Sequence, residues 1–277
     1  MRVLVGAAEL LAAEDRPVLL DVRWALGDDR GYERYLAGHL PGAVFVDLDA
    51  ELADPPSAAG GRHPLPSLQR LQSAARRWGV RTGDRVVAYD DAGGTAAARA
   101  WWLLRWAGLA GVHLLDGGLA AWERAGGALE TGEVVPEPGD VDLTGGGMPV
   151  LTPEQAAALP SSGGLLLDAR AAERYRGEVE PVDPRAGHVP GAVSAPTTGN
   201  LAPDGTFLPV TALTERFRRL GADGSRAVGV YCGSGVTAAH EVAALAEAGV
   251  EAALWPGSWS QWSADPDRPA ATGPAPG

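Results

Sequence analysis

A single cysteine stands among the 277 residues, and its neighbours give it chemical meaning. Cys232 ends the apolar run Val228-Gly-Val-Tyr231 and is followed by Gly233, Ser234, Gly235, Val236, Thr237 and Ala238. The run reads as a buried strand, and Thr237 to Ala248 reads as a helix closed by Gly249 at its C-terminal cap. A thiol between a strand end and a helix start lies where open parallel sheets place their ligands. Gly233 and Gly235 let the backbone curl so that successive N–H groups point inward, and the helix dipole adds partial positive charge. Both effects favour a thiolate, the form that attacks as a nucleophile. The competing reading is a small buried hydrophobe, the usual fate of a lone cysteine.

Composition removes other chemistries. One cysteine excludes an intramolecular disulfide and a multi-cysteine zinc site. All 23 basic residues are arginine, so Schiff-base, pyridoxal-phosphate and phosphate-loop lysines are excluded too. Isoleucine is absent and Asn200 is the only asparagine, a pattern of coding bias from which no function follows. No metal or other cofactor is implied. A net charge of −12 sets a long-range field against nucleic acid or an anionic membrane surface as partner. Glu9 breaks the N-terminal apolar run, and no later run approaches about 18 apolar residues, so a soluble, cytoplasmic protein is expected.

The elements that must position the thiol occur twice. Asp21-Val-Arg23, Tyr32 and Gly38-His-Leu-Pro-Gly-Ala-Val44 are answered by Asp168-Ala-Arg170, Tyr175 and Gly187-His-Val-Pro-Gly-Ala-Val193. Val86 to Asp90 is answered by Val228 to Cys232, and Gly117 to Trp122 by Gly257 to Trp262. Matches in the same order at nearly constant offset indicate duplicated domains. Val18–Val22, Arg85–Tyr89 and Val112–Leu115 read as strands, as do Leu165–Leu167, Ala227–Tyr231 and Ala252–Leu254. With Thr95–Leu109 as a helix in the first copy, near-continuous apolar strands between helices predict an α/β fold. Each domain is expected to be a mostly parallel sheet with helices on both faces. The expected boundaries are 1–130, a Gly/Pro-rich acidic linker at 131–150, and 151–277. The second domain opens on Thr152 as N-cap, Pro153 at the first helical position and Gln155 completing a capping box.

The copies differ where chemistry would occur: Asp90-Asp-Ala-Gly-Gly-Thr95 in the first, Cys232-Gly-Ser-Gly-Val-Thr237 in the second. The second loop resembles the active-site loop of 3-mercaptopyruvate sulfurtransferases, members of the rhodanese superfamily. The paired Gly-His-x-Pro-Gly-Ala segments and the late Gly-Ser-Trp259 with Trp262 are similar to tandem rhodanese domains, over about Leu10 to Trp262.

The resemblance implies an enzyme with only its second domain active, whose cysteine cycles through a persulfide. Asp90 at the matching place cannot accept sulfur, and the pair Asp90-Asp91 reads as a solvated loop or N-cap. The implied catalytic residues are Cys232, Ser234, His63 and Asp49, the last three as a proton relay. A histidine suits that relay because an enolate must be protonated when sulfur leaves. The implied substrate-binding residues are Arg174, Arg185, Gly233, Gly235, Val236 and Thr237. Arg174 lies where the family's carboxylate-binding arginine falls, and its planar fork matches a carboxylate; a surface salt bridge is the alternative. Family members often have a second arginine in a Glu-Pro-Arg segment. Here Glu180-Pro181 is followed by Val182, and Arg185 is the candidate replacement. His39, His188 and the two Asp/Arg pairs recur in both copies and read as structural. Trp259 and Trp262 read as packing, or as a wall beside the persulfide.

The implied donor is 3-mercaptopyruvate, because Gly233 and Ser234 replace the basic residues that thiosulfate-preferring relatives carry after the cysteine. Thiosulfate is the alternative. The implied acceptor is a thiol, such as thioredoxin or a low-molecular-weight thiol, or cyanide. Two other classes are weighed. A cysteine phosphatase of the same fold needs an arginine six positions after the cysteine, where Ala238 stands. A non-catalytic sulfur-carrier module would load once without turnover.

Overall fold

The computed structural model describes residues 2–277 and divides them between two sheets. The first runs β1-β5-β4-β2-β3, from Leu4–Val5 (β1), Val18–Asp21 (β2), Val44–Phe45 (β3), Val86–Tyr89 (β4) and Val112–Leu115 (β5). The second runs β7-β6-β8-β9, from Leu165–Asp168 (β6), Val193–Ser194 (β7), Val228–Tyr231 (β8) and Ala253–Leu254 (β9). All pairings are parallel, and the copies keep one register: Asp21 pairs with Tyr89, Asp168 with Tyr231. Each domain is thus an α/β layer structure of the expected kind. Strands β4 and β8 are buried along their length, which explains their continuous apolar sequence. Strands β1, β3 and β7 have two residues each, too few for an alternating pattern to register.

The repeated turn is built from buried polar contacts in both copies. Arg23 and Arg170 pair with Asp21 and Asp168, and each donates an Nη2 hydrogen bond to the carbonyl of Gly38 or Gly187. His39 stacks on Tyr35 and His188 on Tyr175, each with its Nδ1 on that tyrosine's carbonyl. The counterpart of Tyr175 is therefore Tyr35, which corrects the pairing with Tyr32. Tyrosine and histidine are four residues apart in the first copy and thirteen in the second. The added residues contain Glu180, Asp183 and Arg185.

The domains meet through the helices that follow the two loops, Ala97–Trp106 and Thr237–Glu247, which pack against each other. Residues 97–104 and 238–245 are all buried, so one apolar cluster runs through both domains. The first helix begins at Ala97 rather than Thr95, because its preceding loop closes around Asp90. Residues 131–149 form no helix or strand, yet they pack against the first domain. The N–H groups of Gly139 and Val141 donate to Arg76 and Val80, and Val141 and Leu143 are buried. The expected capping box at Thr152 and Gln155 is present. Among the described residues no helix is long and apolar enough to cross a membrane.

Candidate active site

Cys232 is the first residue after β8, and the start of the helix Ser258–Ala264 holds its backbone. Its N–H donates to Ser258 Oγ at 3.1 Å, and its carbonyl accepts from Trp259 N–H at 3.0 Å. Ser258 has φ 53°, the only left-handed non-glycine residue among those described, and its hydroxyl donates to the Trp255 carbonyl. The Cys232 Sγ accepts one hydrogen bond, from Gly235 N–H at 3.1 Å, where the loop composition suggested several inward amides. Gly235 has φ +78°, and an added Cβ would lie 2.4 Å from the Pro256 carbonyl oxygen, so only glycine fits. Cys232 is 1% exposed and packs among core residues, but it also lines a cleft of about 380 Å³ between the domains. Gly233, Ser234, Val236 and Thr237 line the cleft with it, and Trp24, Arg62 and Ala92 close it from the first domain.

Ser234 reaches across the interface. Its Oγ lies 2.7 Å from His63 Nδ1, and His63 Nε2 lies 3.1 Å from Asp49 Oδ1. Trp24 donates its indole N–H to the other Asp49 oxygen and meets the His63 ring edge-on at 5.4 Å. Burial pushes the His63 pKa down to about 4, helped by Arg99 and Arg62 and opposed by Asp49. The imidazole is therefore neutral at pH 7. With the carboxylate at Nε2, the ring proton sits on Nε2, and Nδ1 accepts from the Ser234 hydroxyl. The loop carrying His63 is held to the second domain: Arg62 N–H donates to Ser260 Oγ at 3.0 Å, and the Gln261 amide donates to the Ala59 carbonyl.

The arginines divide differently from the expectation. Arg174 lines the cleft and pairs with Glu180 at 2.6 Å and Asp183 at 3.1 Å. Arg185 does not reach the cleft, which corrects its candidate role. Its guanidinium donates to the carbonyls of Trp262, Ser263, Asp265 and Arg268, so it secures the segment after the last helix. Trp259 is fully buried and donates to the Arg185 carbonyl, while Trp262 donates to the Pro269 carbonyl; both pack rather than line the cleft.

Two arginines that the sequence reading passed over belong to the site. Arg62 lines the cleft and pairs with Asp183 at 2.6 Å. Its position beside His63 was the only signal. Arg99, in the helix Ala97–Trp106, is fully buried without a carboxylate partner. It donates to the carbonyls of Leu52, His63, Pro64 and Gly235, tying the histidine loop to the cysteine loop. Burial pulls its pKa down to about 10, and the Cys232 thiolate opposes that pull. A charged residue inside an apolar helix was its one signal.

In the first domain Asp90 occupies the corresponding place. It is fully buried, and its carboxylate accepts from the N–H groups of Ala92, Gly94, Ala96 and Ala97 at 2.8–2.9 Å. That loop is an anion nest filled by its own side chain, not a solvated turn. Among the described residues no group of three or more His, Cys, Asp or Glu is placed to hold a metal ion.

Comparison with known proteins gives concordant matches. The family model for the rhodanese-like domain matches residues 6–125 and 152–265. The chain is 53% identical to SseB of Mycobacterium tuberculosis, which bears the name of a thiosulfate sulfurtransferase, over 99% of this chain and 98% of that one. It is 48% identical to a Pseudomonas aeruginosa protein that bears the name of a 3-mercaptopyruvate sulfurtransferase, over 98% of each. The crystal structure of SseA from Escherichia coli, described with the rhodanese fold, superposes with a TM-score of 0.83 at 34% identity, covering 94% of this chain and all of that one.

Proposed function

The chain belongs to the rhodanese family and is a sulfurtransferase, and from that premise we propose that it takes sulfur from 3-mercaptopyruvate, carries it on Cys232 and releases pyruvate. One observation carries the reading: the hydrogen-bonded chain Ser234–His63–Asp49, assembled from both domains beside the protein's only thiol.

The steps balance. The Cys232 thiolate attacks the donor's sulfur, an S–S bond forms, and the C–S bond breaks with its electron pair passing to the enolate of pyruvate. The proton on the donor's sulfur must reach the enolate carbon. Ser234 and neutral His63 provide the path, with Nδ1 taking the proton through the Ser234 hydroxyl and returning it, while Asp49 holds the ring. The Gly235 N–H faces the cysteine sulfur and stabilises its anionic form. In the second half, cyanide takes the outer sulfur and leaves as thiocyanate. Alternatively a thiol takes it, its proton passing to the new persulfide. Cys232 returns as thiolate in both cases. Thioredoxin or a low-molecular-weight thiol in the cytoplasm is the acceptor within this proposal.

Intact mass after addition of 3-mercaptopyruvate should show one added sulfur on the native chain and none on Cys232→Ser. Equal shifts on both would overturn the reading. Repeated pyruvate release per chain separates an enzyme from a carrier that loads once. A thiosulfate donor is the second reading, favoured by the name of the M. tuberculosis relative, and matched initial rates with the two donors decide between them.

A further inference from the structure

A proton relay works only while its histidine is held in one tautomer and one orientation. Here the residue that holds the histidine is itself open to solvent: the Asp49 side chain is 62% exposed, whereas His63 is buried. An exposed carboxylate is screened and free to rotate, so a single contact of 3.1 Å to His63 Nε2 would not fix it. Its second oxygen is bound as well. Trp24 donates its indole N–H to Asp49 Oδ2 at 2.9 Å. Among the described residues these are the carboxylate's two hydrogen bonds, one on each oxygen. The indole also meets the His63 ring edge-on, at an interplanar angle of 85°. Trp24 therefore touches both members of the outer half of the relay.

We propose that Trp24 is a positioning residue for sulfur transfer: by fixing the Asp49 carboxylate it keeps the His63 proton on Nε2 and leaves Nδ1 to accept from Ser234. This rests on the relay described above. The tryptophan projects from an anchored strand end, three residues after Asp21. Val22 N–H donates to the Tyr89 carbonyl, and the Arg23 guanidinium is tied to Asp21 and to the carbonyls of Arg34 and Gly38. An indole N–H can only donate, so it suits a carboxylate and cannot turn to accept. The second copy keeps the aspartate–arginine pair but follows Arg170 with Ala171, in the domain that contributes neither the histidine nor the aspartate of the relay. Trp24 lines the donor cleft and also a separate hollow of about 390 Å³ onto which Asp49 and His63 open. Without the indole N–H, water would compete for Oδ2 from that side and the carboxylate could turn away from the ring.

Trp24→Phe keeps an aromatic ring against His63 and removes the N–H. Pyruvate release from 3-mercaptopyruvate should fall about five- to tenfold in kcat, the loss of one hydrogen bond to a charged group lessened by solvent. KM should stay within about twofold, since phenylalanine preserves the cleft wall. Because the tryptophan acts through Asp49, the same change in an Asp49→Ala background should cost little beyond Asp49→Ala alone. Nitrogen NMR of the His63 imidazole at pH 7 gives a reading that does not need turnover. The native chain should carry the proton on Nε2, and Trp24→Phe should show a mixture of the two ring tautomers. Equal losses of kcat in both backgrounds would make Trp24 only a wall of the cleft, and native kcat with the native tautomer in Trp24→Phe would leave it without a role; both outcomes overturn the proposal. A native chain that releases no pyruvate overturns the donor reading, and the tautomer comparison then decides for Trp24 separately. Native kcat in Asp49→Ala overturns the relay, and the role of Trp24 with it.

Discussion

Asp90 ends β4 where Cys232 ends β8, and the two loops close on them differently: four backbone N–H groups surround the Asp90 carboxylate, one meets the Cys232 sulfur. The helix after Asp90 starts at Ala97 and the helix after Cys232 at Thr237, so the first loop is two residues longer and wraps its own anion completely. The second loop leaves its amides and its thiol to a visitor in the cleft. The two copies thus differ in what fills the nest: a side chain of its own in the first, and an open face toward the cleft in the second.

The filled nest should be measurable as stability. Burial pushes the Asp90 carboxyl pKa up, against the pull of its four N–H donors. Asp90→Ala leaves those buried donors unpaired and should cost about 3–5 kcal/mol, as removal of one side of a buried charged network does. Asp90→Asn keeps one oxygen and should cost less. Urea unfolding of the two variants checks the order. A loss under about 1 kcal/mol for alanine would mean that water replaces the carboxylate freely.

His63 should set the acid limit of activity. Its neutral form accepts from Ser234, and burial, then Arg99 and Arg62, hold its pKa down at about 4 while Asp49 opposes them. Donor kcat/KM should therefore stay level from pH 7 to about 5 and fall near pH 4, not at the ordinary histidine value of about 6.5. Stability has the same sign. Between about 4 and 6.5 the unfolded chain binds the proton that folded His63 refuses, so this contribution is complete above about 6.5 and declines as pH falls. From pH 7 to 5 the native chain should lose about 2 kcal/mol more than His63→Gln in urea unfolding. A half-loss of activity near pH 6.5 would contradict both statements.

Ser258 gives a test in which glycine should outperform alanine. Its left-handed φ of 53° costs about 1 kcal/mol or more in a residue with a Cβ, and the hydroxyl offsets that by accepting from Cys232 N–H. The counterpart in the first domain is Gly118, also left-handed at φ 55°. Ser258→Ala keeps the strain and loses the bond, for about 1–3 kcal/mol. Ser258→Gly loses the bond but relieves the strain, so it should unfold at higher urea than alanine, the reverse of the usual ranking. An alanine variant at least as stable as glycine would show that φ carries no strain there.

Much of this was legible in the sequence, and the part that was not has a common cause. The duplicated turn, the strand–loop–helix around Cys232 and the capping box at Thr152 are local patterns, and the structure contains them as read. Ser234, His63 and Asp49 came from motif resemblance, and the fold places them in one hydrogen-bonded line. Arg62 was invisible as a partner of Arg174 because their nearness arises only when the loop at residues 57–66 docks on the helix Ser258–Ala264. Arg185 misled because spacing along an inserted loop does not fix which way a side chain turns. Tyr32 misled for a related reason, since the insertion shifted the tyrosine–histidine spacing that would have identified Tyr35.

Arg99 shows how a buried charge without a countercharge can serve the site. Four carbonyls take four of its five N–H donors, among the described residues no carboxylate pairs with it, and the Cys232 thiolate is the anion that favours its charged form. Arg99→Met removes the charge while keeping most of the volume, so alkylation of Cys232 by iodoacetamide at pH 7 should slow severalfold. Loss of the hydrogen bond to the Gly235 carbonyl could slow alkylation by loosening the loop, and Arg99→Lys separates the two causes. Lysine keeps the charge and surrenders most of the carbonyl contacts, so it should retain much of the reactivity if charge is what matters. If lysine is as slow as methionine, Arg99 acts by holding Gly235 in place and its charge is incidental.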